Sequence, residues 1–334
     1  MKKTIPIIIS ILMIFGFFSF ISIFFETGRN SQSVIIEIRH GAVASEVSNS
    51  LFENKIIRNR IIFSLAVKSL GLEDKIQAGS YDFDKYSTLF DVLLKLKNAK
   101  IREIAPVEVV FPEGVSIYKM GSILEKNKVK CFEEFRGLTE TNLVKAKARD
   151  FFFLRLVNSD SFEGVLFPDT YIFNTDISFA ALADLMLKRF NQVIWVYWQE
   201  NRKKAKLSFY QTLILASIIE KEAAIDSERP VISSVFYNRL KMGMALAADP
   251  TIKYVLADPT KKVYIKQLKI DSPYNTYKYK GLPPSPICNP GLSSFKAAMF
   301  PSETNYIYFV ARKDGSHIFS TSWRGHQKAR LLAR

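Results

Sequence analysis

The run Leu213-Ile-Leu-Ala-Ser-Ile-Ile219 constrains this chain more than any other stretch. Ser208, with Gln211 three residues later, is a capping box, so the spacing predicts a helix beginning there. From Leu213 to Ile219 every residue is apolar or small, which leaves no solvated face and requires the chain to fold around this helix. Its last turn carries two carboxylates, Glu220 and Glu222. At about 100° per residue they point to nearly opposite sides, so they cannot form an acid/base pair across one substrate. Glu220 shares a stripe with Leu213, Ala216 and Ser217. Apolar neighbours and the negative end of the helix are expected to favour its protonated form, as a general acid requires. The plainer alternative is a helix end that surfaces, with Glu220 paired to Lys221 or Arg229. A second helix is expected next, capped by Ser227, with Pro230 in its first turn, Asn238-Arg239 late in it and Gly243 ending it.

The net charge of +15 suits nucleic acid, an anionic membrane surface or an acidic polymer, and the N-terminus decides among these. After Lys2 and Lys3, residues 5–25 carry no charge. In a helix they span roughly the 30 Å of a bilayer core. No small-x-small cleavage site follows, so an uncleaved signal anchor is expected. Residues 1–4 then lie in the cytoplasm and the bulk of the chain outside it, at the cell (inner) membrane. That placement argues against nucleic acid as a partner. Cys131 and Cys288 have no metal-type spacing to each other or to the histidines and are read as free thiols. No zinc motif, phosphate loop or nucleophile elbow occurs, and neither metal nor cofactor is expected.

The fold class expected is α+β. Residues 33–100 read as strand, helix, helix, strand and a further helix. The first four are the order of a LysM-like module, a small fold often used to hold glycan chains; a generic α/β adaptor without sugar affinity has the same order. Gly41, Val47, Leu51, Asn54 and Ile56 recur at an offset of 73 as Gly114, Met120, Leu124, Asn127 and Val129, so a strand–turn–helix element is expected twice. Residues 105–330 form a larger mixed α/β domain: charged helical chain over 131–160, a turn and strand over 162–173, and a long amphipathic helix over 180–202 with Trp195 and Trp198 packed. A proline-rich loop over 272–284, a helix over 292–299 after Asn289-Pro290-Gly291, and a hairpin around Asp314-Gly315 complete it.

Three blocks carry a resemblance: FEGVLFPDTYIF, LILASIIEKEAAIDSERPVISSVFYNRLKMGMALAADPTIKYVL and DSPYNTYKYKGLPPSPICNPGLSSFKAAMFPSETNYIYFVARKDGSHIFS. Together they resemble the membrane-anchored endolytic murein transglycosylases, the YceG-like family, over most of residues 105–325. The resemblance implies a lyase that cuts the MurNAc–GlcNAc bond of nascent peptidoglycan strands and leaves 1,6-anhydromuramyl ends. It implies one carboxyl group serving as acid and then base, here Glu220. Glu222 is expected beside it, ion-paired with an arginine such as Arg239. Asn238, Arg239, Asp249, Thr251, Asn275, Thr276 and Tyr277 are carried over as cleft residues. Peptidoglycan synthases are the partners the resemblance implies; a non-catalytic wall-binding scaffold and a hydrolase using water are the rival readings. One departure stands out: Ala247-Ala248 occupies positions where the family commonly has two polar side chains.

Overall fold

The computed structural model describes residues 33–39, 41–73, 75–98, 106–136, 141–257 and 262–333. The anchor expected at 5–25 lies outside the described residues; among those described, no helix is long and apolar enough to cross a membrane. The chain divides into two units, Met1–Ile104 and Ala105–Arg334. Both mix helices with two-stranded sheets, an α+β architecture.

In the first unit, β1 (Ser33–Ile38) turns Ile36 and Ile38 inward and pairs antiparallel with β2 (Gly79–Asp84), Ile36 opposite Tyr81. Helices α1 (Ala44–Glu53) and α2 (Arg60–Ser69) lie between them, and α3 (Leu89–Lys97) follows. The Asn59 side chain accepts the Ile61 and Ile62 amides at the start of α2, and Thr88 accepts the Asp91 amide at the start of α3. Leu51, Phe63, Val67, Tyr81, Phe83 and Val92 are fully buried between sheet and helices.

The second unit runs β3 (Val107–Val110), α4 (Ile117–Lys126), α5 (Phe132–Arg136), α6 (Thr141–Lys147), β4 (Thr170–Phe173) and α7 (Phe179–Phe190). Then come α8 (Val196–Asn201), α9 (Phe209–Glu222), α10 (Arg229–Lys241), α11 (Asp249–Val255), α12 (Leu292–Met299), the hairpin β5 (Tyr308–Ala311) and β6 (His317–Ser320), and α13 (Trp323–Leu332). Helix α9 has the capping box and is buried from Thr212 to Ile219, packed against α10, α11 and α12. Each such leucine or isoleucine contributes about 1.5–3 kcal/mol. Phe209 meets Trp195 edge-on at 5.1 Å and Trp198 at 5.4 Å, so both tryptophans pack rather than face a ligand.

Three local expectations change. The long helix over 180–202 is broken by one π-helical turn, Asn191–Trp195, and the charged stretch over 131–160 makes only short helices. Ser227 does not cap α10; it sits in a 3-10 turn, Asp226–Glu228, that leads into Arg229 and Pro230.

The repeated element is present in detail. Gly41 and Gly114 have φ of +80° and +75°, and Lys55 and Lys128 have +59° and +57°. The Asn54 and Asn127 side chains each donate to the carbonyl four residues back, at 2.8 Å. The likeness continues where the sequence offset is no longer 73. Tyr81 in β2 and Tyr171 in β4 each donate to the carbonyl four residues back, at 2.8 and 2.7 Å, and β3 pairs antiparallel with β4 as β1 does with β2.

The second copy differs in the longer chain before its returning strand, which carries Glu163. This carboxyl is 4% exposed; it accepts the Ile117 amide at 3.2 Å and the Asn289 side-chain amide at 3.1 Å, and burial pushes it up to about 8. Next to it Gly164 has φ +93°, and a Cβ there would stand 2.5 Å from Pro286 Cγ. Gly164→Ala is therefore expected to destabilise the second unit by about 3 kcal/mol, from strain and overpacking together, read as a lower denaturant midpoint. Glu163 gives a second expectation. It keeps its proton in the folded protein to about pH 8 but loses it near the ordinary 4.5 when unfolded. The folded state holds the extra proton across that window, so stability falls as pH rises through it. Glu163→Gln should flatten the decline in Tm between pH 5 and 8 relative to wild type.

Candidate active site

Helix α9 delivers its two carboxylates to different surroundings. The Glu220 side chain is 5% exposed and both oxygens are held: Arg229 Nη1 donates to Oε1 at 3.1 Å, and the Gly291 amide donates to Oε2 at 2.9 Å. Arg229 also reaches Asp226 at 2.9 Å and the Ser294 hydroxyl. Glu113 closes over the same point, where a Cβ on Gly291 would fall 1.9 Å from its Oε1. Partial withdrawal from water, and then the Glu220 charge, hold the Glu113 carboxyl above its usual range. Of the two readings at this helix end, the pairing with Arg229 is realised, in a buried setting. Lys221 instead donates to the Gly114 carbonyl at 3.2 Å.

Glu222 lies half-buried on the other side. Withdrawal from water, and then the Asp249 charge, push its carboxyl up to about 8, against the opposing charges of Lys253 and Arg239. The ion pair expected with Arg239 is replaced by a longer-range field. The Arg239 guanidinium is fastened to the Ile307 carbonyl at 2.7 Å and the Leu246 carbonyl at 2.5 Å, and lies over the Tyr308 ring. Asp249 opens α11 and accepts the Tyr277 hydroxyl at 2.5 Å; the Tyr277 hydroxyl in turn feels the Glu222 charge.

The remaining carried-over residues hold the loops that frame this group. Asn238 donates to the Thr304 and Tyr306 carbonyls, both at 2.8 Å. Asn275 donates to the Leu268 and Ile270 carbonyls and accepts the Tyr277 amide. The Thr251 and Thr276 hydroxyls meet at 2.9 Å, and Thr276 accepts the Ala248 amide at 3.0 Å. Asn275, Thr251 and Thr276 are fully buried, and none of the three faces a cleft. The structure thus groups Glu222, Asp249 and Tyr277, with Arg239 acting on Glu222 and Tyr277 by charge. Ala248 is itself buried, and Ala247 adopts φ +47°, so this pair shapes the turn before α11.

A cavity of about 880 Å³ is lined among others by Ser116, Tyr118, Glu163, Lys221, Lys253 and Tyr274; Glu222, Asp249 and Tyr277 are not in its wall, but their chain neighbours Lys221 and Pro250 are. The cavity has the size of a small-ligand or oligosaccharide cleft. Lys253 belongs both to its wall and to the charges acting on Glu222. Three residues at the site carry no role in the sequence reading: Glu113, Glu163 and Gly291. Glu163 alone left a signal, as a lone carboxylate in the apolar run from Phe162 to Phe167. Among the described residues no cluster of histidine, cysteine or carboxylate is arranged to hold a metal ion, and Cys131 and Cys288 are free and buried.

The comparisons agree on one family. Residues 36–331 match the model of the YceG-like family. The chain is 34% identical over 311 residues to a Bacillus subtilis (strain 168) protein named endolytic murein transglycosylase, covering 90% of this chain and 85% of that one. A Streptococcus pneumoniae (strain R6) protein of the same name is 25% identical over 326 residues, and the match spans 58% of its length. The crystal structure of the yceG-like protein lmo1499 from Listeria monocytogenes has a TM-score of 0.61 and 34% identity, covering 90% of this chain and 99% of that chain. On a family match across nearly the whole chain, a long relative above 30% identity and a matching solved structure, this chain belongs to the YceG-like family.

Proposed function

We propose that the protein is a peptidoglycan lytic transglycosylase, a lyase acting within glycan strands, with Glu222 rather than Glu220 as its acid and base. Family membership and the names of its relatives support the reaction class. The observation that carries the assignment is the contrast on the last turn of α9. Glu220 has both oxygens engaged by Arg229 and Gly291, whereas Glu222 is half-buried among other charges and its carboxyl is raised to about 8.

A carboxyl group in that range holds a proton at neutral pH and can give it up. In the proposed step Glu222 protonates the oxygen linking MurNAc to GlcNAc, and the bond from that oxygen to the anomeric carbon breaks. The resulting carboxylate takes the proton of the C6 hydroxyl as O6 bonds to the same carbon, leaving a 1,6-anhydromuramyl end. No water is consumed and Glu222 is protonated again. Lys253 and Arg239 stabilise the carboxylate between the two transfers. Glu220 is a positioning residue that fixes the end of α9. The uncharged run over residues 5–25 supports anchoring in the cell (inner) membrane with the bulk of the chain outside, beside the synthases that make new strands. The strand–helix–helix–strand order of the first unit supports the LysM-like reading.

The test is digestion of uncrosslinked strands by full-length wild type, Glu222→Gln and Glu220→Gln in detergent, with product ends read by mass spectrometry. Anhydromuramyl ends are expected from wild type, at least 100-fold fewer from Glu222→Gln, a loss in the range general acid–base catalysis supplies. Residual cutting by Glu220→Gln and none by Glu222→Gln distinguishes the two glutamates; the reverse pattern returns the acid to Glu220. Reducing ends would mean hydrolysis, and binding without cutting would mean a scaffold. The pH profile provides a separate check: the rate should fall as pH rises through about 8, where Glu222 loses its proton.

A further inference from the structure

Three lysines from three separate elements line the cavity of about 880 Å³: Lys119 on α4, Lys221 on α9 and Lys253 on α11. Among the described residues none of the three forms an ion pair with a carboxylate. Lys221 donates to the Gly114 carbonyl, which leaves two of its three N–H donors for a ligand. The one acid among the described residues of the wall is Glu163. It is buried, accepts the Ile117 amide and the Asn289 side-chain amide, and keeps its proton to about pH 8. At neutral pH the described wall therefore presents three ammonium groups and no carboxylate. A recess lined by one sign of charge focuses its field on ions of the opposite sign, so the ligand chemistry it selects is anionic. Lysines are compact charges on flexible stems, and no arginine lines the described wall. What is read is negative charge rather than one fixed fork geometry.

We infer that this cavity is a subsite for carboxylates carried on the lactyl arm of N-acetylmuramic acid, held by Lys119, Lys221 and Lys253. The inference rests on the proposed transglycosylase reading, which supplies the identity of the ligand. In an unmodified strand neither sugar ring carries a charge. The anions all sit on that arm, as the lactyl carboxylate where the sugar is bare or as peptide carboxylates where a peptide is attached. The arm leaves the same ring whose anomeric bond is cut, so a subsite for it must adjoin the acid. The chain places the cavity accordingly. Lys221 precedes Glu222 on α9, and Lys253 lines the wall while its charge acts on Glu222. Ser116 and Ser122, also in the wall, offer hydroxyls to the amide groups of the arm. The three cations thus make an anionic arm a condition of tight binding. They discriminate against polymers of N-acetylglucosamine alone, which have the same backbone and no anion.

The experiment uses full-length protein in detergent and probes without a MurNAc–GlcNAc bond, so that binding is independent of cleavage. The charged probes are N-acetylmuramyl-L-alanyl-D-glutamate and bare N-acetylmuramic acid. The uncharged ones are the diamide of the first and N-acetylglucosamine. Dissociation constants are read by ligand-observed NMR. At least one charged probe should bind wild type about tenfold more tightly than the uncharged pair, the scale of two partly enclosed ion pairs. Lys119→Gln combined with Lys221→Gln should abolish that difference and leave the uncharged probes unaffected. Tight binding of the dipeptide form assigns the subsite to peptide carboxylates, and tight binding of the bare sugar assigns it to the lactyl carboxylate; either supports the inference. Lys203→Gln with Lys204→Gln, exposed and outside the described wall, should keep the wild-type difference. Circular dichroism checks that both double variants are folded. Equal binding of charged and uncharged probes, or no detectable binding of any, overturns the inference. So does a difference that survives loss of Lys119 and Lys221, or one that the Lys203 and Lys204 changes abolish equally. If the lysine-dependent difference is found but wild type leaves no cut ends on uncrosslinked strands, the enzymatic reading fails while the subsite stands. If wild type cuts strands and the cavity variant keeps its KM, the subsite fails while the enzyme stands.

Discussion

Burying an amide side chain costs several kcal/mol unless each of its donors and its acceptor is met. Asn289 is fully buried and meets that condition with partners in two distant stretches of chain. Its Oδ1 accepts the Gly164 and Leu166 amides, and its Nδ2 donates to the Val115 carbonyl and to Glu163. Its backbone amide and carbonyl pair with Val115 and Gly114. The start of α4, the turn at 163–166 and the approach to α12 are thereby fixed to one another. Two residues on, the Gly291 amide takes one oxygen of Glu220, and Arg229 on α10 takes the other while reaching Ser294 on α12. The end of the buried helix is thus held by a polar network that begins at Asn289, and removing one member would leave the others buried without partners.

That network explains how one helical turn holds two glutamates in different surroundings. Their opposed directions follow from helix geometry alone. What each can do follows from what it meets: Glu220 meets a guanidinium and a backbone amide, and Glu222 meets Asp249 and a partly dry surface. Environments that set apart two neighbouring carboxyl groups are the usual way a fold divides structural from chemical roles.

Much of this could be read locally. The capping box and the unbroken apolar run placed α9, turn glycines placed the closing hairpin, and a fixed offset revealed half of the repeat. Local signals failed where a tertiary contact decided. The 3-10 turn before α10 replaces a serine cap because Asp226 and Glu228 in it bind Arg229 and His317. The second half of the repeat escaped because the chain inserted before β4 changes the offset between Tyr81 and Tyr171. Asn289 and Glu163 were invisible as a pair because the partners are 126 residues apart, and no periodicity links them. The apolar stripe that Glu220 shares shows burial but not which donors wait there. Its ten-residue neighbourhood contains Arg229, yet the Gly291 amide that completes the hold lies 71 residues on.

Arg239 illustrates the last step from position to chemistry. Had its guanidinium formed a direct pair with Glu222, the contact would favour the carboxylate and lower the carboxyl group's hold on its proton. The structure directs its Nε and Nη1 elsewhere, to Ile307 at the edge of the β5–β6 hairpin and to Leu246 in the turn before α11. Glu222 therefore feels a positive field without a donor in contact. Desolvation and Asp249 keep the proton on, while Lys253 and Arg239 limit the cost of releasing it. The hairpin and the α11 turn, which contribute no acid of their own, set that balance by where they hold one arginine.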